Sequence, residues 1–555
     1  MKNVAFIIFA VFMTMIILVS PSCKKDDNNT PKEIHDLTFS IPGVELKHDI
    51  YYSIDANIGH IEFVFNKEVD INSIAGNISF SDEQGTLDDS IDIDVAGQKM
   101  YIRFKSDFKL KPGWRYNLAI SQGFKSITDD NLPSDTIIDF RTKTSPFGLL
   151  KSKASTNRSL IVCISDLHMG LQKAVDSGYC WFSDNKDALE QFLDFVIDEP
   201  HVKELVIMGD LFDEWIVPYS ISPFDSAAGI TNNREYFEAV AAAETNATIV
   251  QKFKSIAAGN DILLTYIPGN HDMLLTEDII KDIIPGIQWK GDADGLGKYV
   301  PAEGMVLEHG HRYDFMNCPE PLVNDGHILP PGFFISRLYA QGTMLQGPPT
   351  KSFLQFEESI EFKTAWDIAL FELNNVYFNL NTNENANNIL MNGVDNYSIP
   401  FSYNGAKEMY ASNIEDKWTS TQTQNNVPVP LWIYQAIEAS LSLHDLFEVA
   451  KIEYMYDSSP KKYKIVAFGH THKADLKVHK PLFKKEPTGI YANSGTWINK
   501  DFVSTDYATR TFLVINPGEW STSELDIVTY YEYNLSTTQQ GKYVPVRIKE
   551  ENILK

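Results

Sequence analysis

Basic residues are scarce relative to acidic ones: 48 Lys and Arg face 74 Asp and Glu, leaving a formal net charge of −26. That balance excludes a nucleic-acid duplex as the main partner, because backbone recognition over a broad surface needs clustered cations. It leaves room for a small phosphate ester, since a metal centre supplies positive charge locally. Cysteine is scarcer still. Only Cys23, Cys163, Cys180 and Cys318 occur, with no CxxC or zinc-finger spacing, so a disulfide scaffold and a structural zinc finger are excluded. Cys163 lies in an apolar run and reads as core, while a Cys180–Cys318 disulfide stays open. No apolar run reaches the about 20 residues of a bilayer-spanning helix; the longest covers residues 4–19. No internal repeat is found. Hydrophobic residues still make up 43% of the chain, enough to build cores and exclude wholesale disorder, and 555 residues are too many for one ordinary domain.

What is present begins with a leader. Lys2 followed by the apolar run fits a signal peptide over residues 1–22. Leu18-Val19-Ser20-Pro21-Ser22-Cys23 resembles a lipobox, in which the Cys thiol is acylated and becomes the first residue of the mature chain. Pro21 departs from the small residue usual there, and an ordinary cleaved signal or an N-terminal anchor is the competing reading. The resemblance implies a secreted lipoprotein of the cell envelope, held to a membrane through Cys23. The polar tether at residues 23–35 is similar to segments that route some Gram-negative lipoproteins to the outer face of the outer membrane.

Residues 36–146 alternate polar and apolar positions in IGHIEFVFN, NISFSD, KMYIRFK, WRYNLAIS and DTIIDFRT, with turn residues between, which predicts an all-β sandwich. FVFNKEVD, LKPGWRYNLAI and DFRT resemble bacterial Ig-like modules, which implies a spacer or a docking site for a protein partner. A connector at 147–157 follows. Over 157–520 the apolar runs SLIVCIS, ELVIMG, DILLTYIP and KYKIVAFG alternate with helical stretches, the mark of an α/β domain. Residues 312–460 interrupt that rhythm with a largely helical insertion, expected as a cap over the site, and 521–555 read as a C-terminal β extension.

Five polar clusters occur in order: Asp166-Leu167-His168; Gly209-Asp210 with Asp213; Gly269-Asn270-His271-Asp272; His309-Gly310-His311; and Gly469-His470-Thr471-His472. The first three directly follow apolar strands, so their side chains emerge at strand ends, where ligands gather in such sheets. Neutral imidazoles and carboxylates suit borderline divalent ions such as Mn²⁺, Fe²⁺ or Zn²⁺.

The order D-x-H, G-D-x-x-D, G-N-H-D, H and G-H-x-H resembles the calcineurin-like metallophosphoesterase superfamily. The resemblance implies a two-sheet α/β sandwich with two divalent metal ions at its edge. One ion would be held by Asp166, His168, Asp210 and His472, and the other by Asp210, Asn270, His309 and His470, with Asp210 bridging. His271 would protonate the leaving group, oriented by Asp213, for which a turn cap is the plainer role. His309 takes the ligand position over His311, though the two are open to exchange, and Asp272 is expected to support the ligands. The reaction implied is hydrolysis of a phosphate mono- or diester by direct attack of metal-activated water. SDLHMG and GDLFDEW look like the branch that cleaves the pyrophosphate of UDP-diacylglucosamine, so a nucleotide-sugar or lipid pyrophosphatase is the rival enzyme. Against it, that branch carries Arg where this chain has His271, and it works in the cytoplasm. A non-catalytic surface-binding lipoprotein is the rival from another class. ANSGTWIN, residues 492–499, is similar to the family's closing strand, and core packing explains it equally well.

Overall fold

The computed structural model describes residues between 37 and 554, apart from 143–159, 216–222, 338–387, 403–413, 437–445, 518–524 and several shorter stretches. The leader, Cys23, the tether, the connector at 147–157 and much of the insertion lie outside the described residues. Among the described residues no helix is long and apolar enough to cross a membrane.

The N-terminal region is strand-rich. Its strands are β1 (Phe39–Ser40), β2 (Glu45–Lys47), β3 (Ile50–Ile54), β4 (His60–Phe65), β5 (Ile78–Asp82), β6 (Gly85–Thr86), β7 (Ile91–Ala96), β8 (Lys99–Phe104), β9 (Arg115–Ile120) and β10 (Thr136–Thr142). They form two sheets, ordered β1-β4-β8-β7 and β2-β3-β10-β9-β5-β6. Period two decides the inside: in β4, Ile61, Phe63 and Phe65 are buried while the residues between them are not. These three meet Phe80, Met100, Ile102, Leu118 and Phe140 in one core drawn from both sheets.

The α/β region contains β11 (Leu160–Ile164), β12 (Val202–Met208), β13 (Leu263–Ile267), β14 (Gln288–Trp289), β15 (Met305–Leu307), β16 (Asn388–Ile389), β17 (Phe401–Ser402), β18 (Ile465–Phe468), β19 (Asp475–His479), β20 (Gly489–Asn493), β21 (Thr511–Asn516), β22 (Leu525–Leu535) and β23 (Tyr543–Leu554). One sheet runs β14-β13-β12-β11-β21-β22-β23 and a second runs β15-β18-β20-β19. The C-terminal residues therefore extend the first sheet. Strands β11 to β14 are mutually parallel, as are β15, β18 and β20.

Both faces of β11 are apolar, and the packing shows why. Ile161 and Cys163 point at the second sheet, where they meet Met305, Leu307, Ile465 and Ala467. Leu160, Val162 and Ile164 point the other way, into a core shared with Phe192 of the helix Lys186–Asp198 and Phe253 of the helix Glu244–Ala258. The far face of the second sheet (Val306, Val466, Phe468, Tyr491) is covered by Val427, Leu431, Leu446 and Tyr454 from the insertion. The order of layers is thus helices, sheet, sheet, insertion. Cys163, Cys180 and Cys318 are free and buried, so the Cys180–Cys318 disulfide that the sequence leaves open is not formed.

Buried polar groups tie the described parts of the insertion to Glu308 and to one another. Arg312 pairs with Glu308 at 2.8 Å and donates to the Asn425 carbonyl at 3.1 Å. Glu320 accepts from Thr421 Oγ1 at 3.1 Å and from the Cys318 thiol at 3.5 Å, and burial holds its carboxyl up at about 8. A carboxyl raised on folding binds more protons folded than unfolded between about 4.5 and 8, so its effect on stability is least harmful at low pH and worsens as pH rises through that window. Burial likewise raises Glu453 to about 8. Glu320→Gln keeps an acceptor for Thr421 and cannot ionise. Between pH about 5 and about 9 its melting temperature should therefore fall several degrees less than that of the parent. Parallel melting curves across that range would show that the Glu320 carboxyl is not raised on folding.

Candidate metal centre

Because the strands of each parallel set end on the same edge, their following loops meet. Asp166 follows β11, Asp210 follows β12, Asn270 follows β13, His309 follows β15 and His470 follows β18. The backbone at these ends is strained. Asp166, His168, Asp210, His470 and His472 have φ of 55, 53, 52, 70 and 57°, a left-handed conformation that costs an L residue about 1–2 kcal/mol. Strain of that kind persists where surrounding structure imposes it, most often at functional sites. Here the loops after β11 and β12 lock together: Asp166 N donates to Gly209 O at 3.1 Å, His168 N to Asp210 O at 3.0 Å, and Met169 N to Leu211 O at 3.1 Å. Gly209 and Gly269 are required by close approach, since a Cβ would collide with the His309 imidazole and the Asp210 carboxylate respectively.

Asp166, His168, Asp210 and His472 converge in one group, each offering an atom within 4.8 Å of the others. His168 Nε2 is 3.1 Å from His472 Nε2 and 3.5 Å from Asp210 Oδ2, and His472 Nε2 is 3.2 Å from Asp166 Oδ1. Ligands bound about 2.1 Å from one ion stand about 3.0–3.5 Å from each other at octahedral or tetrahedral angles. His168 Nδ1 donates to Asp213 Oδ2 at 3.0 Å, which leaves its Nε2 as a lone pair facing the group. Asp166 Oδ1 is buried without a hydrogen-bond partner. Lone pairs converging with an unmatched carboxylate oxygen fit a divalent cation.

The second group shares Asp210. Its Oδ2 is 3.3 Å from His309 Nε2, which is 3.1 Å from Asn270 Oδ1. His309 Nδ1 donates to the Met208 carbonyl at 2.7 Å, again turning Nε2 inward. Asn270 Nδ2 donates to Asn317 Oδ1 at 3.4 Å, and Asn317 Nδ2 donates to Asp314 Oδ2 at 2.6 Å, so the amide presents its oxygen to the site. His470 Nε2 donates to Asp314 Oδ2 at 2.7 Å, leaving Nδ1 as its lone-pair nitrogen; its ring lies 5.2 Å from that of His309. Burial raises the Asp210 carboxyl, but the imidazoles of His309 and His271 offset this and hold it well below the usual range. Burial likewise lowers His309, and the same carboxylate reverses that, lifting it to about 9.

His271 sits against this cluster with only 11% of its side chain exposed. It stacks on Trp215 at 4.3 Å and stands edge-on to His168 at 4.4 Å. Its Nδ1 is 3.2 Å from Asp213 Oδ2, near enough for an ion pair but without the alignment of a hydrogen bond. Asp213 therefore faces both His168 and His271, and its Oδ1 also caps a turn by accepting from Trp215 N at 2.8 Å. Asp272 braces two loops: Oδ1 accepts from Gly269 N at 2.8 Å, and Oδ2 from Leu211 N at 2.8 Å and Phe212 N at 3.2 Å. Burial and the nearby Asp210 raise its carboxyl to about 6. His311 is buried with both ring nitrogens unbonded, and it is His309 whose Nε2 faces Asp210.

Sequence reasoning misses Asp314, Asn317 and Trp215. Asp314 and Asn317 stand out only as polar positions in the run HRYDFMN, and Trp215 only as the aromatic residue ending GDLFDEW. ANSGTWIN does more than pack. Thr496 Oγ1 donates to the Asp166 carbonyl at 2.9 Å, Asn493 Nδ2 to the Gly469 carbonyl at 2.7 Å, and Ser494 Oγ lies 2.6 Å from Ser165 Oγ.

No curated protein matches the chain. Solved structures that match include the N-terminal part of the bacterial S-layer protein SbsC, at 17% identity over 24% of this chain and 28% of that one, with a TM-score of 0.15. Domains 1–6 of surface layer protein SbsC match at 18% identity over 23% and 17%, also with a TM-score of 0.15. E. coli alpha-2-macroglobulin in its native conformation matches at 13% identity over 24% and 7%, with the same TM-score. The chain spans under a third of each, and likenesses this slight carry no argument. The segment that supplies Asp166, His168, Asp210, Asn270, His271 and His309 is different: residues 159–341 match the family model described as calcineurin-like phosphoesterase, and the buried His and Asp cluster suits a metal-dependent phosphoesterase.

Proposed function

We propose that the protein is a binuclear metal-dependent hydrolase of a phosphate mono- or diester. The observation that carries this reading is Asp210 Oδ2, which lies 3.5 Å from His168 Nε2 and 3.3 Å from His309 Nε2 and so belongs to two donor groups at once. Asp166, His168, Asp210 and His472 would hold one divalent ion, and Asp210, Asn270, His309 and His470 the other. Divalent ions held there, Mn²⁺, Fe²⁺ or Zn²⁺ by donor chemistry, would supply the charge that polarises the phosphoryl oxygens and acidifies a water. The chain's own side chains do the rest. Asp213, Asp314 and the Met208 carbonyl fix which imidazole nitrogens face inward. His271, backed by Trp215 and Asp213, hands a proton to the departing oxygen.

The insertion at 312–460 is proposed to cap the site and select the substrate, supported by the pairing of Arg312 with Glu308 at 2.8 Å and by the packing of Val427, Leu431, Leu446 and Tyr454 on the second sheet. The leader and lipobox-like segment support an envelope lipoprotein anchored through Cys23. The two N-terminal sheets around one core support an Ig-like module that docks a protein partner. The test is metal removal by chelation, then readdition of each ion, with phosphate monoesters, diesters and pyrophosphates as substrates. Activity on one ester class should vanish with the metals and return with them. Cleavage of pyrophosphates alone would replace this reading with the pyrophosphatase, and no turnover with two ions bound would replace it with a binding protein.

A further inference from the structure

On the second sheet, away from the metal centre, β19 and β20 form an antiparallel hairpin that closes at His479 and Gly489. Its loop contains a tight turn in which Lys484 N donates to the Pro481 carbonyl at 3.0 Å. The two central positions of such a turn ordinarily go to Asn, Asp, Gly or Pro. Here they are Leu482 and Phe483, 95% and 100% exposed. Exposed Lys480 and Lys484 flank them. Beside the turn lies a cleft of about 1060 Å³ whose lining includes both of these lysines with Lys462 and Lys464, against the carboxylates of Glu303 and Asp526. The patch is basic on a chain whose net charge is −26.

We infer that this turn is a membrane-docking tip: Leu482 and Phe483 enter the acyl edge of an anionic lipid surface while Lys480, Lys484 and the lysines of the cleft meet its phosphates. An apolar wedge with cations on both sides matches the change from hydrocarbon to headgroup across a bilayer interface. Lysine stems can lie along the apolar tip while their ammonium groups stay in the headgroup layer. A protein partner fits less well, because two side chains at an isolated tip offer far less than the about 800 Å² per side of a stable protein interface. The inference depends on neither the proposed reaction nor the acylation of Cys23.

The test uses the chain from Lys24 onward, which holds every described element and lacks both the leader and Cys23. It should sediment with phosphatidylglycerol-containing vesicles and much less with phosphatidylcholine alone. Leu482→Ser combined with Phe483→Ser should lower that partition at least about tenfold, and Lys480→Glu with Lys484→Glu should do at least as much, since each lysine near an anionic surface contributes about fivefold. Metal content should be unchanged in both. Phe483→Trp should shift its emission to the blue on mixing with anionic vesicles. Absence of sedimentation by the parent, equal sedimentation by the serine pair, or an unshifted emission would overturn the inference. Vesicle-independent dimerisation lost in the serine pair would also overturn it, by assigning the tip to a second copy of the chain.

Discussion

Asp210→Asn should leave the protein folded, strip one or both divalent ions, and reduce hydrolysis by at least about 10³-fold. The two carboxylate oxygens do different work. Oδ1 accepts from His271 N at 2.9 Å and so supports the loop after β13, whereas Oδ2 faces His168 and His309. Asparagine retains an acceptor for the His271 amide but takes away the negative charge that both donor groups share. Two divalent ions about 4 Å apart would repel strongly in a site screened from water, and a shared carboxylate charge would offset this. Loss of even an outer partner of a metal ligand commonly costs 10–100-fold, and this change acts on both ions. His472→Ala removes a ligand from only one group, so high metal concentration should rescue it while leaving Asp210→Asn impaired. The measurement is elemental analysis of the purified variants with activity under metal titration. Two tightly held ions per chain in Asp210→Asn would overturn the bridging role.

His271→Asn should cost about 10²–10⁴-fold on an alkyl ester and little on a p-nitrophenyl ester, because only the alkoxide needs a proton as it leaves. The imidazole is held for such a role by Trp215 stacked at 4.3 Å and by Asp213 Oδ2 at 3.2 Å. Metal content should stay at the parent value, since His271 lies outside both donor groups. Asp213→Asn supplies the contrast. Its Oδ2 also receives the His168 Nδ1 proton at 3.0 Å, so that variant should lose metal as well as leaving-group selectivity. Equal losses on the two esters in His271→Asn, with metals retained, would show that this side chain positions substrate and transfers no proton.

The chemistry of the site was legible because it is local. Asp166, Asp210 and Asn270 each follow an apolar run within a few residues, and a polar residue just past a buried strand has to emerge at the sheet edge. Residue type then limits what can bind there. The strand-rich N-terminal region was legible for the same reason, since period two in β4 needs only its own sequence.

What tertiary structure decided is long-range. The run LIVCI is apolar at every position, so nothing in it tells which side chains face the second sheet and which face the helices. That was settled when Met305 and Leu307 packed on Ile161 and Cys163. Asp314 orients His470 from 156 positions away, and Thr496 supports Asp166 from 330 positions away, separations over which no spacing rule operates. Asp213, expected to serve His271, lies between two imidazoles because the loop after β11 folds back on the loop after β12. Cys180 and Cys318 are buried in the same apolar core and remain free thiols, which no spacing in the sequence foretells. Sequence thus determined which groups stand at the strand ends and what they can coordinate. Which partner turns each imidazole or carboxylate inward depended on the packing of two sheets, a many-body outcome set by shape and by satisfying every buried polar group.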